Sequence, residues 1–332
     1  MILYNMKDEK LSLVDSKPFA IEKEIQSLVE NNTEELFGLK LVGSEFSIDN
    51  FRFDSVCFDE ESKSFVIIEY KKGHSFSIID QGFSYLSTML QNKSDFILEY
   101  NEVVGKILKK NEIDWSQSKI IFISPSFSPH QVNSINFKDM PFELWEIKRY
   151  LNDMISLNQY VSSSNESIKV LSKTPIISNV NKEIKTYDIK DLLKNSSKEV
   201  KDLWEKINQK INKSDFERTK FIDRKYYRRF AYENNATICY INFRKNNIKI
   251  DIIGGTIFGD GSKGKNYLEL DDYKNLTKKI ENVWEGYETK HGKREGGKDT
   301  MNYYYEFVIE IDSNLNYLIE LLMQKYESII RN

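Results

Sequence analysis

The sequence predicts a two-domain α/β protein, and three observations carry that prediction. A helix-spaced apolar stretch is followed by three strand-like runs. Ile120-Ile121-Phe122-Ile123-Ser124 is apolar enough to be a buried central strand. Composition turns polar after Val161, which separates residues 1–160 from a smaller α+β domain at 187–332 through a linker at 161–186.

The elements follow in order. Ile21, Ile25, Leu28 and Val29 recur at helical spacing within 18–36, with Pro18 at the start and Gly38 as a stop. Strands are expected at Leu41–Ile48, Phe51–Phe58 and Ser64–Lys71. The turn Ile48-Asp49-Asn50 and the polar run 59–63 separate them. Helices are expected at 78–92 and about 94–110, then the apolar strand at 120–124. Phe142–Tyr150 and Met154–Tyr160 read as a strand pair. The second domain opens with a helix near 188–211. Strands are expected at Tyr226–Tyr232, Ala236–Phe243 and Ile248–Ile253. A helix near 270–283, a strand at Tyr303–Ile311 and a helix at Leu315–Ile330 complete it.

Composition narrows the function classes. Of 332 residues, 40% are hydrophobic and 30% charged, and no apolar run approaches the length of a membrane span. Met1–Asn5 shows no basic region followed by an apolar core, so no secretory signal is expected. Two cysteines, Cys57 and Cys239, argue against a disulfide framework and fit a reducing cytoplasm. A net charge of −3 argues against a basic coat for non-specific nucleic-acid binding, though not against a catalytic cleft with local positive charge.

The chemistry centres on Asp54 and on Glu69-Tyr70-Lys71 in the next strand-like run. Residues two apart on a strand share a face, so Glu69 and Lys71 point the same way. A charged pair on an otherwise apolar strand is costly unless compensated. A divalent cation shared with Asp54 would compensate it, and Mg²⁺ favours such oxygen ligands at about 2.0–2.1 Å. Lys71 would then orient the attacking water or stabilise transition-state charge.

Four elements in order resemble the PD-(D/E)XK nuclease superfamily over roughly residues 17–150. They are Glu22-Lys23-Glu24-Ile25-Gln26, Arg52-Phe53-Asp54, Ile67-Ile68-Glu69-Tyr70-Lys71 and Gln81-Gly82-Phe83-Ser84-Tyr85. The resemblance implies an αβββαβ, restriction-endonuclease-like core with a mixed sheet, and Mg²⁺- or Mn²⁺-dependent cleavage of DNA. It implies Asp54 and Glu69 as metal ligands and Lys71 as the catalytic lysine. Glu22 becomes the helical glutamate that holds a metal-bound water, and Gln81 lines the cleft. Helical spacing alone does not decide between Glu22 and Glu24; the motif match favours Glu22. Phe53 stands where the superfamily has Pro. Many relatives dimerise to cut both strands, so a homodimer is an implied partner alongside DNA. The rival expectation is a catalytically silent module of the same fold that binds DNA or protein.

Other segments give weaker expectations. Lys72 and His74, with Ser75 and Ser77, follow the lysine motif and would meet phosphates at the mouth of a cleft. Arg224-Lys225-Tyr226-Tyr227-Arg228-Arg229 interleaves basic and aromatic residues as single-strand binders do. Ser124–His130 lacks the elbow and acid of a Ser-His hydrolase. The glycine-rich run Phe258–Lys265 lacks the P-loop pattern and, like Lys290–Lys298, reads as a surface loop. The second domain is similar to an uncharacterised C-terminal module fused to nuclease domains of this kind.

Overall fold

A computed structural model describes residues 3–73, 77–168, 174–233, 236–258, 268, 280–288 and 300–331. The chain divides into two units, Met1–Thr186 and Tyr187–Asn332.

The first unit begins with a hairpin of β1 (Tyr4–Lys7) and β2 (Lys10–Leu13) that the sequence does not signal. Its turn places Asp8 and Glu9 at φ of 50° and 61°, without the Asn-Gly or Asp-Gly pair that usually marks such a turn. The expected helix at 18–36 is two helices, α1 (Glu22–Glu30) and α2 (Thr33–Phe37). Gly38 ends the second in the left-handed region, at φ 67°. Strands β3 (Lys40–Ile48), β4 (Phe51–Asp59) and β5 (Ser64–Tyr70) form the expected meander. Helices α3 (Ile78–Gln91) and α4 (Lys93–Val104) cross to β6 (Lys119–Ser124). Gly105 stops α4 several residues before the expected end. Helix α5 (Pro129–Ser134) leads to β7 (Phe142–Arg149) and β8 (Ile155–Tyr160). In α5, Ser128 caps the helix through Gln131, so this serine has a structural role.

The six strands run in the order β3-β4-β5-β6-β7-β8. The β5–β6 and β6–β7 pairs are parallel and the others antiparallel, a mixed sheet as expected. Strand β5 is buried along its whole length, and its side chains alternate between two cores. Phe65 and Ile67 join one core with Phe83, Leu86 and Met89 of α3. Val66, Ile68 and Tyr70 join the other with Ile25 and Val29 of α1.

The segment 161–186 is not simply a linker. It contains α6 (Pro175–Glu183), and Ile168, Val180 and Ile184 are buried in the core that α3 shares. Pro175 starts this helix rather than breaking it.

In the second unit the expected opening helix is split into α7 (Ile189–Leu192) and α8 (Lys198–Asn212), the latter capped by Ser197. A sheet follows, built from β9 (Thr219–Asp223), β10 (Arg228–Tyr232), β11 (Thr237–Phe243), β12 (Ile248–Phe258), β13 (Ile280–Glu288) and β14 (Thr300–Ile309). Its order is β13-β14-β12-β11-β10-β9, antiparallel throughout. Helix α9 (Leu315–Ile330) packs Leu318, Leu321 and Leu322 into a core with Trp204 and Ile207 of α8. Strand β9 was not expected, and β13 begins where a helix was expected to run on to 283. The rest of that expected helix and the loops at 259–265 and 290–298 lie outside the described residues. Cys57 and Cys239 are buried and free. Among the described residues no helix is long and apolar enough to cross a membrane.

Candidate active site

The alternation of β5 places Glu69 on the α3 side of the sheet, after Phe65 and Ile67. Lys71 continues the parallel pairing, its main-chain N–H donating to Ile123 O at 2.9 Å. Its Nζ turns back to Glu69 Oε1 at 2.7 Å. From the first turns of α3, Gln81 Nε2 donates to the same oxygen at 2.7 Å and the Tyr85 hydroxyl lies 3.4 Å from it. Gln81 also donates to Tyr85 Oη at 3.1 Å, and Tyr85 donates to Arg52 O at 3.1 Å. Residues 81 and 85 cooperate because i and i+4 share a helix face.

Glu69 is only 2% exposed, yet its second oxygen, Oε2, is buried without a hydrogen-bond partner. Such an oxygen is costly in a folded protein and calls for a specific explanation. Burial, and then the neighbouring Asp54 carboxylate, pushes the Glu69 carboxyl up to about 7.

Asp54 lies on β4, where pairing with β5 runs no further than Ser55↔Ile68. Its Oδ2 accepts the Tyr70 main-chain N–H at 3.0 Å, so a side chain continues the seam between the strands. Burial raises the Asp54 carboxyl above the usual range, and the Tyr70 N–H and Lys71 oppose that rise.

The two helical glutamates separate. Glu22 Oε1 accepts the Lys72 main-chain N–H at 2.8 Å, and its charge bears on Asp54. Glu24 Oε2 pairs with Arg149 at 3.1 Å and accepts the Ala20 N–H at 3.2 Å. Gln26 from the same motif is 5% exposed and donates to Asp54 O at 3.0 Å.

The donor chemistry fits a hard divalent cation. Two neighbouring carboxylates stand together, one with a buried oxygen that no protein donor satisfies. Among the described residues no group of three or more His, Cys, Asp or Glu is arranged as a ligand set. A cation here would complete its shell with water and substrate oxygens, as Mg²⁺ commonly does.

The remaining predicted contacts are dispersed. Lys72 is exposed, with its Nζ donating to Ala20 O, and His74 lies outside the described residues. Arg224 and Lys225 lie between β9 and β10, where Lys225 Nζ stands 5.2 Å from the ring centroid of exposed Tyr226. The structure redirects the other two arginines. Arg228 Nε and Nη2 meet Asp223 at 2.6 and 2.7 Å, and its guanidinium stacks on Trp204 and Phe221. Arg229 is 8% exposed. Burial and internal pairing turn these two away from the open basic surface expected of a strand-binding patch. Tyr85, Glu30, Ser55 and Tyr70, which sequence reasoning did not count as site residues, are brought to its edge. Two of these carry a signal in the sequence: Tyr85 in the Gln81–Tyr85 motif, and Glu30 in the i,i+4 spacing of Glu22, Gln26 and Glu30.

No family model matches the chain. Among solved structures, a repair endonuclease from Pyrococcus abyssi is 16% identical with a TM-score of 0.21, covering 36% of this chain and 45% of that one. EndoMS in its apo form is 14% identical with a TM-score of 0.24, covering 40% and 58%. SfsA of Pyrococcus furiosus in complex with Ca²⁺ is 12% identical with a TM-score of 0.24, covering 46% and 77%. The chain thus spans about half the length of the two endonucleases, and at these scores the likenesses do not bear on any residue's role. A Haemophilus influenzae protein described only as uncharacterized is 39% identical over 326 residues, 98% of this chain and 99% of its own length. The chain belongs to the same family as that Haemophilus influenzae protein.

Proposed function

We propose that the first unit is a metal-dependent nuclease that hydrolyses phosphodiester bonds in DNA. The observation that carries this reading is the state of Glu69. One oxygen is fixed by Lys71, Gln81 and Tyr85, the other is buried and unpaired, and the carboxyl as a whole feels the charge of Asp54. Asp54 and Glu69 would hold Mg²⁺ or Mn²⁺, and Glu22, whose charge bears on Asp54, would orient a water. When bound, the cation supplies Lewis acidity toward the phosphate and the attacking water.

The chain's own residues supply the rest. Lys71 holds its ammonium at the carboxylate, 19% exposed, where it would meet charge building on the phosphate. Gln81 and Tyr85 fix the orientation of Glu69. Hydrolysis in restriction, phage defence or repair would all use this chemistry, and a homodimer would bring two such sites to one duplex. The test is cleavage of DNA with Mg²⁺, Mn²⁺ or EDTA, comparing the wild type with Asp54→Ala and Lys71→Ala.

A further inference from the structure

Helix α1 carries a polar stripe at i, i+4 and i+8, Glu22, Gln26 and Glu30, which follows the line where β4 and β5 part. Glu22 takes the Lys72 N–H at 2.8 Å. Gln26 Nε2 donates to Asp54 O at 3.0 Å, to Glu30 Oε1 at 2.9 Å and to Ser44 Oγ at 3.3 Å. Glu30 Oε1 also accepts the Ser55 hydroxyl at 2.6 Å, and Ser55 Oγ meets Tyr70 Oη at 3.0 Å. Ser55 follows Asp54 in sequence, and Tyr70 follows Glu69. The network therefore grips both strands one residue beyond each acid. Tyr70 packs in the α1 core, opposite the face that carries Glu69.

A polar side chain buried this deeply costs stability unless its hydrogen bonds are made, and a satisfied buried network holds the groups it joins in one arrangement. At Gln26 those bonds fall on the main chain of one acid and on Glu30, which holds Ser55 of the same strand, and Ser55 in turn meets Tyr70 of β5. Ile25 and Val29 already supply the apolar packing of α1. We propose that Gln26, braced by Glu30, is a positioning residue that fixes the Asp54 main chain and so sets the placement of the Asp54 carboxylate against Glu69. This rests on the nuclease reading above, since it gives the spacing a catalytic purpose.

Two measurements on the full chain test it, using Gln26→Met, which keeps the bulk and removes the donor. Val29→Ala serves as a control that loosens the same helix without touching the stripe. The first is amide exchange. Tyr70 N–H is held by the Asp54 carboxylate, whereas Lys71 N–H is held by β6. Gln26→Met is expected to speed exchange at Tyr70 and leave Lys71 unchanged. The second is Mn²⁺ affinity without nucleic acid. Groups that orient metal ligands contribute about 10–100-fold, and a loss in that range is expected for Gln26→Met but not for Val29→Ala. Equal exchange at Tyr70 and Lys71 would overturn the proposal, as would Mn²⁺ affinity that follows stability alike in both variants. A wild type that binds no Mn²⁺ would refute the nuclease reading and the catalytic purpose of the stripe together. A wild type that binds Mn²⁺ and cuts DNA, with Gln26→Met indistinguishable from it, would refute the positioning role alone.

Discussion

Lys71 turns back along its own strand and places its ammonium 2.7 Å from Glu69 Oε1. The pair stands where β5, buried along its whole length, ends, and Glu69 Oε2 is buried without a hydrogen-bond partner.

Lys71→Ala is expected to lower cleavage by about 10²–10³-fold, the usual loss when one electrostatic donor is removed. The fold should survive, since Gln81 and Tyr85 still hold Oε1. Circular dichroism and a cleavage assay on the same preparation check both halves. Asp54→Ala, which removes a proposed metal ligand, should lower cutting at least as far. Full activity in either variant would remove that residue from the site.

The Glu69 carboxyl gives a pH dependence with a definite sign. In the folded protein it lies at about 7, above its ordinary value of 4.5, so between them the folded state holds more protons than the unfolded one. Its contribution to stability is fully present below about 4.5 and is lost as pH rises through about 7. Metal binding has the opposite trend, because the ligand must be deprotonated, and should strengthen through the same range with release of a proton. Urea unfolding of metal-free protein across that range should show a negative slope that Glu69→Gln flattens. An unchanged slope would place the titrating group elsewhere.

Gly82 sits beside Gln81 on α3, where a Cβ would overlap the Phe142 ring, coming within 2.8 Å of two further ring carbons. Gly82→Ala is expected to destabilise by about 1–3 kcal/mol from overpacking, more than the roughly 1 kcal/mol of helix propensity that alanine adds. A lowered urea midpoint checks this. Unchanged stability would mean that the Phe142 ring yields without strain.

Arg228 tests the second unit. Its two contacts to Asp223 and its stacking on Trp204 make it a folding residue. Arg228→Ala should cost about 1.5–3 kcal/mol, the range for hydrogen bonds to charged groups. Lysine should not restore this, because it lacks the planar fork. If the variant keeps its stability but loses affinity for single-stranded DNA, the arginine belongs to a binding surface after all.

Much of the first unit was legible because its strands are short, apolar and separated by polar turns. Glu69 and Lys71 stood out as charges at the end of such a run. The helix over 18–36 was read as continuous because its apolar spacing spans the break at Asn31-Asn32. The second unit was harder. Ile280, Val283, Trp284 and Tyr287 recur at helical spacing, yet β13 is a strand with register shifts between Ile280 and Asn282 and between Trp284 and Tyr287. Strand β9, Thr-Lys-Phe-Ile-Asp, is short and carries too little alternation to declare itself. The charge pattern at 224–229 suggests a nucleic-acid grip, and the sequence does not show that Asp223 pairs with Arg228. The Gln26 stripe was visible as spacing, but its target, the main chain of Asp54, exists only in the fold.

The most direct measurement is incubation of the purified protein with plasmid, linear duplex and single-stranded DNA in Mg²⁺, Mn²⁺ or EDTA, with Lys71→Ala in parallel. Cutting that needs the metal and disappears in the variant is the expected result. A folded protein that cuts none of these DNAs with either metal, or a Lys71→Ala variant that cuts as well as the wild type, would contradict it.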